Sequence, residues 1–188
     1  MSYYEKNADK FIESTKDCDM SKQYELFLKY MPKKGFILDV GFGSGRDMKY
    51  FNKKGYFVFG IDITEAFVAN IKKQGYQARV QSVEDFNTKN EYNGIWACAS
   101  LLHVKKENLD KAMTNLKNAL KPKGILYASF KYGHEEVIKD ERYFNYIDEF
   151  DIACLSNTTG LKVLEISMSN DVRKDRADEK WINVVFQK

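Results

Sequence analysis

Long uncharged apolar runs are absent, and no stretch approaches the roughly 18 residues of a membrane span. The N-terminus, Met1-Ser2-Tyr3-Tyr4-Glu5-Lys6, has no apolar core of a signal peptide, so a cytoplasmic protein without a membrane partner is expected. Cysteine is scarce and odd in number. Cys18, Cys98 and Cys154 form no C-x-x-C pair, which suits reduced thiols better than a disulfide framework or a zinc site. The two histidines, His103 and His134, are too few and too far apart for a familiar metal cluster, so no metal is expected. Neither sign of charge dominates: 30 Lys and Arg against 27 Asp and Glu leave +3, which neither requires nucleic acid nor excludes it. The two prolines fall at boundaries, Pro32 ending a helical pattern and Pro122 opening a turn into a strand. There is no linker, repeat or low-complexity segment, so residues 1–188 read as one domain, monomeric or homodimeric.

What is present is organised around residues 36–47, Phe-Ile-Leu-Asp-Val-Gly-Phe-Gly-Ser-Gly-Arg-Asp. The apolar run from Phe36 to Val40, broken only by Asp39, reads as a buried strand. Gly41, Gly43 and Gly45 follow, and then Arg46-Asp47-Met48-Lys49-Tyr50-Phe51, where Met48 and Phe51 share a helical face. A strand that turns through glycines into a helix brings bare amides and a helix N-terminus up to a ligand, as in a nucleotide site. Arg46 stands where the dinucleotide pattern G-x-G-x-x-G needs its third glycine, and the lack of Gly-Lys-Ser/Thr excludes a P-loop. Taken alone, the glycines also fit an ordinary tight turn.

Residues 1–20 read as a loose or short-helical arm carrying Tyr3, Tyr4 and Phe11, and residues 21–31 as a helix. Beyond the glycine loop, strands are expected over 56–61, 77–81, 92–98 and 125–130, with helices over 65–74 and 106–120 between them. Residues 131–146 read as a looser stretch, 147–156 as a helix, and 161–168 and 181–186 as an antiparallel edge pair. The alternation of strand and helix argues for a parallel sheet covered on both faces. Ligands of such sheets bind beyond the carboxyl ends of the strands. Asp62 ends the second strand, where its carboxylate can accept from both ribose hydroxyls or cap the next helix.

Residues 37–47, 58–64, 84–86, 95–104 and 120–130 resemble, in order, the motifs of the class I S-adenosylmethionine-dependent methyltransferases. Overall the chain resembles compact bacterial members of the tellurite-resistance and thiopurine type, which act on small molecules. The resemblance implies an α/β, Rossmann-like, doubly wound seven-stranded sheet of order 3-2-1-4-5-7-6 with strand 7 antiparallel. It also implies S-adenosylmethionine as cofactor and S-adenosylhomocysteine as product. By the same resemblance, Gly41, Gly43 and Gly45 let backbone approach the methionine part, and Asp39 helps hold its ammonium group. Phe42 and Ser44 lie along that wall, with Ala99 also at the cofactor. Asp62 binds ribose, Ile63 packs on adenine, and Val83 and Glu84 meet the adenine edge. The acid often found at the adenine amine aligns with Ser82, which leaves Ser82, Glu84 and Asp85 as rivals there.

His103, just past the fourth strand, is the candidate general base, or a structural histidine near the cofactor. Tyr3, Tyr4 and Phe11 either close over the cofactor and substrate or dock a frayed terminus on the core. Arg142, Tyr143, Arg173 and Arg176 either recognise an anionic substrate group or are solvated among Asp171, Asp175, Asp178 and Glu179. No Asn/Asp-Pro-Pro-Tyr/Phe follows the fourth strand and no Pro-Cys is present, which disfavours acceptors on nucleic-acid bases. Methyl transfer to a small-molecule acceptor is the leading expectation. An RNA or protein methyltransferase, a nicotinamide-binding oxidoreductase and a non-catalytic nucleotide-binding protein are the alternatives.

Overall fold

The computed structural model describes residues 3–173 and 176–188, so Asp175 of the charged loop lies outside the described residues. Helices α1 (Tyr3–Lys6), α2 (Ala8–Thr15) and α3 (Ser21–Leu28) precede β1 (Phe36–Val40). Then come α4 (Arg46–Lys53), β2 (Phe57–Asp62), α5 (Glu65–Lys73), β3 (Gln77–Val80) and β4 (Tyr92–Ala97). The second half runs α6 (Lys106–Ala119), β5 (Leu120–Lys131), β6 (Glu136–Lys139), β7 (Arg142–Asn145), α7 (Glu149–Thr159), β8 (Lys162–Asn170) and β9 (Lys180–Gln187). Seven strands form one sheet of order β3-β2-β1-β4-β5-β9-β8. β9 pairs antiparallel with both β5 and β8, and the other pairings are parallel, as the resemblance implied.

Strand alternation assigns the two faces. Leu38 and Val40 of β1 join Leu109, Met113 and Leu116 of α6 and Ile152 and Leu155 of α7 in one core. On the opposite face Ile37 packs with Phe27 of α3, Phe51 of α4, Trp96 and Tyr127. Trp96 and Tyr127 stack with ring centroids 4.1 Å apart, so much of the aromatic content is core. Asp39 lies on the Ile37 face, a carboxylate inside the packing.

The arm of residues 3–15 is helical, and Tyr4, Ala8, Phe11 and Ile12 pack on Phe42, Met48, Phe67 and Ile71. The stretch 131–146, read as loose from sequence, is instead a two-stranded antiparallel hairpin, β6–β7, outside the main sheet. Its turn residues Asp140 and Glu141 have φ of 52° and 60°, a hairpin-type turn without glycine. That hairpin and the arm flank the carboxyl ends of the parallel strands.

Candidate active site

The glycine loop leaves β1 with Gly41, Gly43 and Gly45 at φ of 68°, 53° and 72°, all left-handed. A Cβ on Gly45 would stand 2.4 Å from Ile71 Cδ1, so this glycine lets α4 start against α5. A Cβ on Gly43 would come 2.8 Å from Phe11 Cε1, because the arm lies directly on the loop. Asp62, at the end of β2, accepts from Gly43 N at 3.0 Å and from Thr64 N at 2.9 Å. One carboxylate therefore clamps the loop to the turn that opens α5, and each oxygen keeps a further lone pair. Burial pushes Asp62 above its ordinary value, and the amides of Thr64 and Gly43 oppose that rise.

Asp47, in the first turn of α4, is enclosed by donors. Tyr24 Oη donates at 2.5 Å and Trp96 Nε1 at 2.8 Å, while Arg46 grips both oxygens through Nε at 2.6 Å and Nη2 at 2.9 Å. Burial alone would raise Asp47, but the Arg46 charge and these donors together hold it below the usual carboxylate range. Arg46 Nη1 also reaches the carbonyl of Thr15, tying the arm to the loop at 3.3 Å. Asp39 beneath them keeps Oδ2 without a hydrogen bond, and burial, then the charge of Asp47, pushes its carboxyl well up.

His103 closes the short turn Leu101–His103 after β4. Its Nδ1 is 2.7 Å from the carbonyl of Tyr143 and its Nε2 is 2.8 Å from Tyr4 Oη. A carbonyl only accepts, so Nδ1 carries the proton. Burial lowers the imidazole below its ordinary value, keeping it neutral, and Tyr4 must then donate to a bare Nε2.

Two cavities lie over the strand ends. One, of about 160 Å³, is lined by Asp62, Ile63, Thr64, Ser82, Val83 and Glu84; the other, of about 150 Å³, by Phe42, Ser44, Arg46, Lys131, Arg142 and Arg173 among others. Tyr4, Phe11, Gly41, Gly43, Ala99 and His103 belong to both walls, so the cavities meet there. Ala99 holds φ of 51°, a strained value for a residue with a side chain, at that junction.

Several expected residues stand elsewhere. Asp39 and Gly45 lie beneath the cavities and line neither, and Asp85 lines only a separate surface cleft with Asn87 and Thr88. The Tyr143 ring turns outward, where its hydroxyl contacts Glu136 and accepts from Lys106 N; its neighbour Phe144 takes the cavity face instead. β7 alternates, so one position decides between them. Tyr3 stacks on Arg142, 4.3 Å from ring centroid to guanidinium carbon, rather than lining either cavity. Arg173 lines the second cavity but is held by Asp171 through Nε at 2.9 Å and Nη2 at 2.6 Å. Arg46 and Lys131 are wall residues that the motifs did not assign. A lysine closing the apolar strand Ile125 to Phe130 was the available signal for the second.

A family described as a methyltransferase domain matches residues 37–124. Over 150 residues, the chain is 27% identical to the phosphoethanolamine N-methyltransferase of Plasmodium falciparum. The match covers 76% of this chain and 56% of that one, so the chain spans about half the length of this curated relative. Among solved structures it resembles the Burkholderia thailandensis 1,6-didemethyltoxoflavin-N1-methyltransferase, seen with 1,6-didemethyltoxoflavin and S-adenosylhomocysteine bound, at 16% identity and TM-score 0.81. That likeness covers 98% of this chain and 83% of the other. A TehB-like methyltransferase of Corynebacterium glutamicum follows the same fold at 18% identity and TM-score 0.70, over 90% of this chain and 89% of that one. The matched segment runs from the glycine loop into β5, and the seven-stranded sheet around it follows the Rossmann-like fold of these methyltransferase structures.

Proposed function

We propose that this chain transfers the sulfonium methyl of S-adenosylmethionine to a small-molecule acceptor and releases S-adenosylhomocysteine. The observation that carries this reading is the meeting of two cavities over one glycine loop, with Tyr4 and His103 at the junction. The Asp62 cavity has what an adenosine needs: a carboxylate with spare lone pairs for ribose, and Ile63, Val83, Ser82 and Glu84 around a flat base. On the other side, Gly41, Phe42, Gly43 and Ser44 offer the wall for the methionine part. Arg46 is a cation at carboxylate reach, and the bare Oδ2 of Asp39 lies beneath, suited to an ammonium group directly or through water.

When bound, the cofactor supplies an electrophilic methyl group. This chain's own residues align the acceptor, exclude water and take up the proton that the nucleophile loses. Tyr4 already donates to neutral His103, so the nucleophile's proton passes to Tyr4 oxygen as the Tyr4 proton moves to Nε2. The arm that brings Tyr4 also covers the junction with Phe11. Two relatives named for methylation of small molecules support an acceptor of that size.

The test is incubation of purified protein with methyl-labelled S-adenosylmethionine and size-fractionated cell extract. Label is expected in the low-mass fraction and is expected to vanish in Asp62→Ala. Label in RNA or protein would replace the acceptor class and keep the cofactor.

A further inference from the structure

Among the described residues, the cavity on the Phe42 side is walled by five cationic side chains, Arg46, Lys131, Arg142, Arg173 and Arg176, against two carboxylates, Asp47 and Asp171. Arg46 holds Asp47, and Arg173 holds Asp171. Lys131, only 4% exposed, meets Glu179 at 2.7 Å from behind the cavity wall. Arg142 is different. It is 9% exposed, and its ion pair is a single contact from Nη2 to Asp140 at 3.2 Å. Asp140 sits at the hairpin turn with its side chain 56% exposed, where water weakens the attraction.

Arg142 Nε is buried with no hydrogen-bond partner. Rings surround the guanidinium, with centroids 4.3 Å away for Tyr3, 5.2 Å for Phe144 and 5.9 Å for Tyr4. Aromatic packing of this kind favours the positive charge, and it gives the in-plane Nε–H no acceptor. A buried, unpaired N–H on a cation is costly unless a further acceptor completes the fork. Paired oxygens of a carboxylate or a phosphate match that fork.

We propose that Arg142, with Lys131 beside it, binds an anionic group of the methyl acceptor, a carboxylate or a phosphate, so that the acceptor is a small anion whose nucleophile is delivered to Tyr4 and His103. The inference rests on the reading of this cavity as the acceptor site. β7 carries both ends of the arrangement: Arg142 grips the anion, and the carbonyl of Tyr143 next to it orients His103. The hairpin therefore sets which acceptors fit, while the glycine loop serves the cofactor.

The experiment titrates the full chain with sodium phosphate and, separately, with sodium acetate, sodium chloride holding the ionic strength constant. Each titration is run with and without saturating S-adenosylhomocysteine. Tryptophan fluorescence is the readout, because Trp181 lines the cavity. A saturable response to at least one anion is expected, and which anion gives it distinguishes phosphate from carboxylate. In Arg142→Gln that anion is expected to bind at least about tenfold more weakly, with S-adenosylhomocysteine affinity unchanged within about threefold. Arg142→Lys, which keeps charge and loses the fork, should weaken it by a smaller factor and decides the matter if the glutamine variant does not fold. No saturable response to either anion, or a response indifferent to both variants, overturns the proposal. Failure to bind S-adenosylhomocysteine would instead overturn the cofactor reading, and the cofactor-free titration would still judge Arg142.

Discussion

Asp39 is a carboxyl at the centre of the sheet with one oxygen bare, and that makes the stability of the fold sensitive to pH. Burial, then Asp47, raises its folded value well above the ordinary one, so the folded chain holds this proton more tightly than the unfolded chain. Its favourable contribution is present in acid and is lost as pH rises through the folded value. Asp39→Asn keeps the volume and cannot ionise. It is expected to make the ligand-free protein more stable at pH 8 by about 1–3 kcal/mol, the gain shrinking as pH falls, in urea unfolding at several pH values. A cationic ligand group above Asp39 would draw the carboxyl back to its charged form. At this scale the glycine loop and Asp62 were legible, because positive φ and a carboxylate at a strand end follow from residue type. Arg46 was legible only as a missing glycine, since its partners Thr15, Asp47 and the cavity are brought to it by tertiary packing.

Among the elements, the arm has the most to lose. Its hold includes Tyr4 on His103, the Glu5 carboxylate accepting from Glu65 N at 2.6 Å, Lys6 near Glu141, Phe11 against Phe67 and the Thr15 carbonyl on Arg46. Glu5 stands at the N-terminus of α5, where a negative charge is favoured. Removing residues 1–16 is expected to leave the main sheet folded, with unchanged far-ultraviolet signature for its strands. Release of S-adenosylhomocysteine should become faster by on the order of tenfold, read by stopped-flow fluorescence. The arm's aromatics fitted either a lid or a terminus docked on the core, and its helices were visible only as a possibility because they are stabilised by what they cover. The hairpin hid for a different reason. Its strands have four residues each, and Asp140-Glu141 lacks the Asn-Gly or Gly signal that marks such turns.

For the whole molecule, strand order was the most legible property. Regular alternation of strand and helix argues a parallel sheet, a polar loop between the last two strands points to an antiparallel edge, and the order itself came with the family resemblance. A ligand that binds only the folded state stabilises all of it together. S-adenosylhomocysteine at about a hundred times its dissociation constant should add about 2.7 kcal/mol, a rise of roughly 5–10 °C in Tm for a chain of this size. NAD at the same concentration should produce none, and differential scanning calorimetry with each ligand would separate them. A shift with NAD and none with S-adenosylhomocysteine would contradict the cofactor reading.

Tyr4 and Phe11 are walls of both cavities, and that shared ownership carries a kinetic consequence. If methyl transfer proceeds as proposed and both ligands leave past this arm, the frequency at which it opens would be a ceiling on turnover for every acceptor. Acceptors of very different intrinsic reactivity would then converge on the same kcat while keeping distinct kcat/KM.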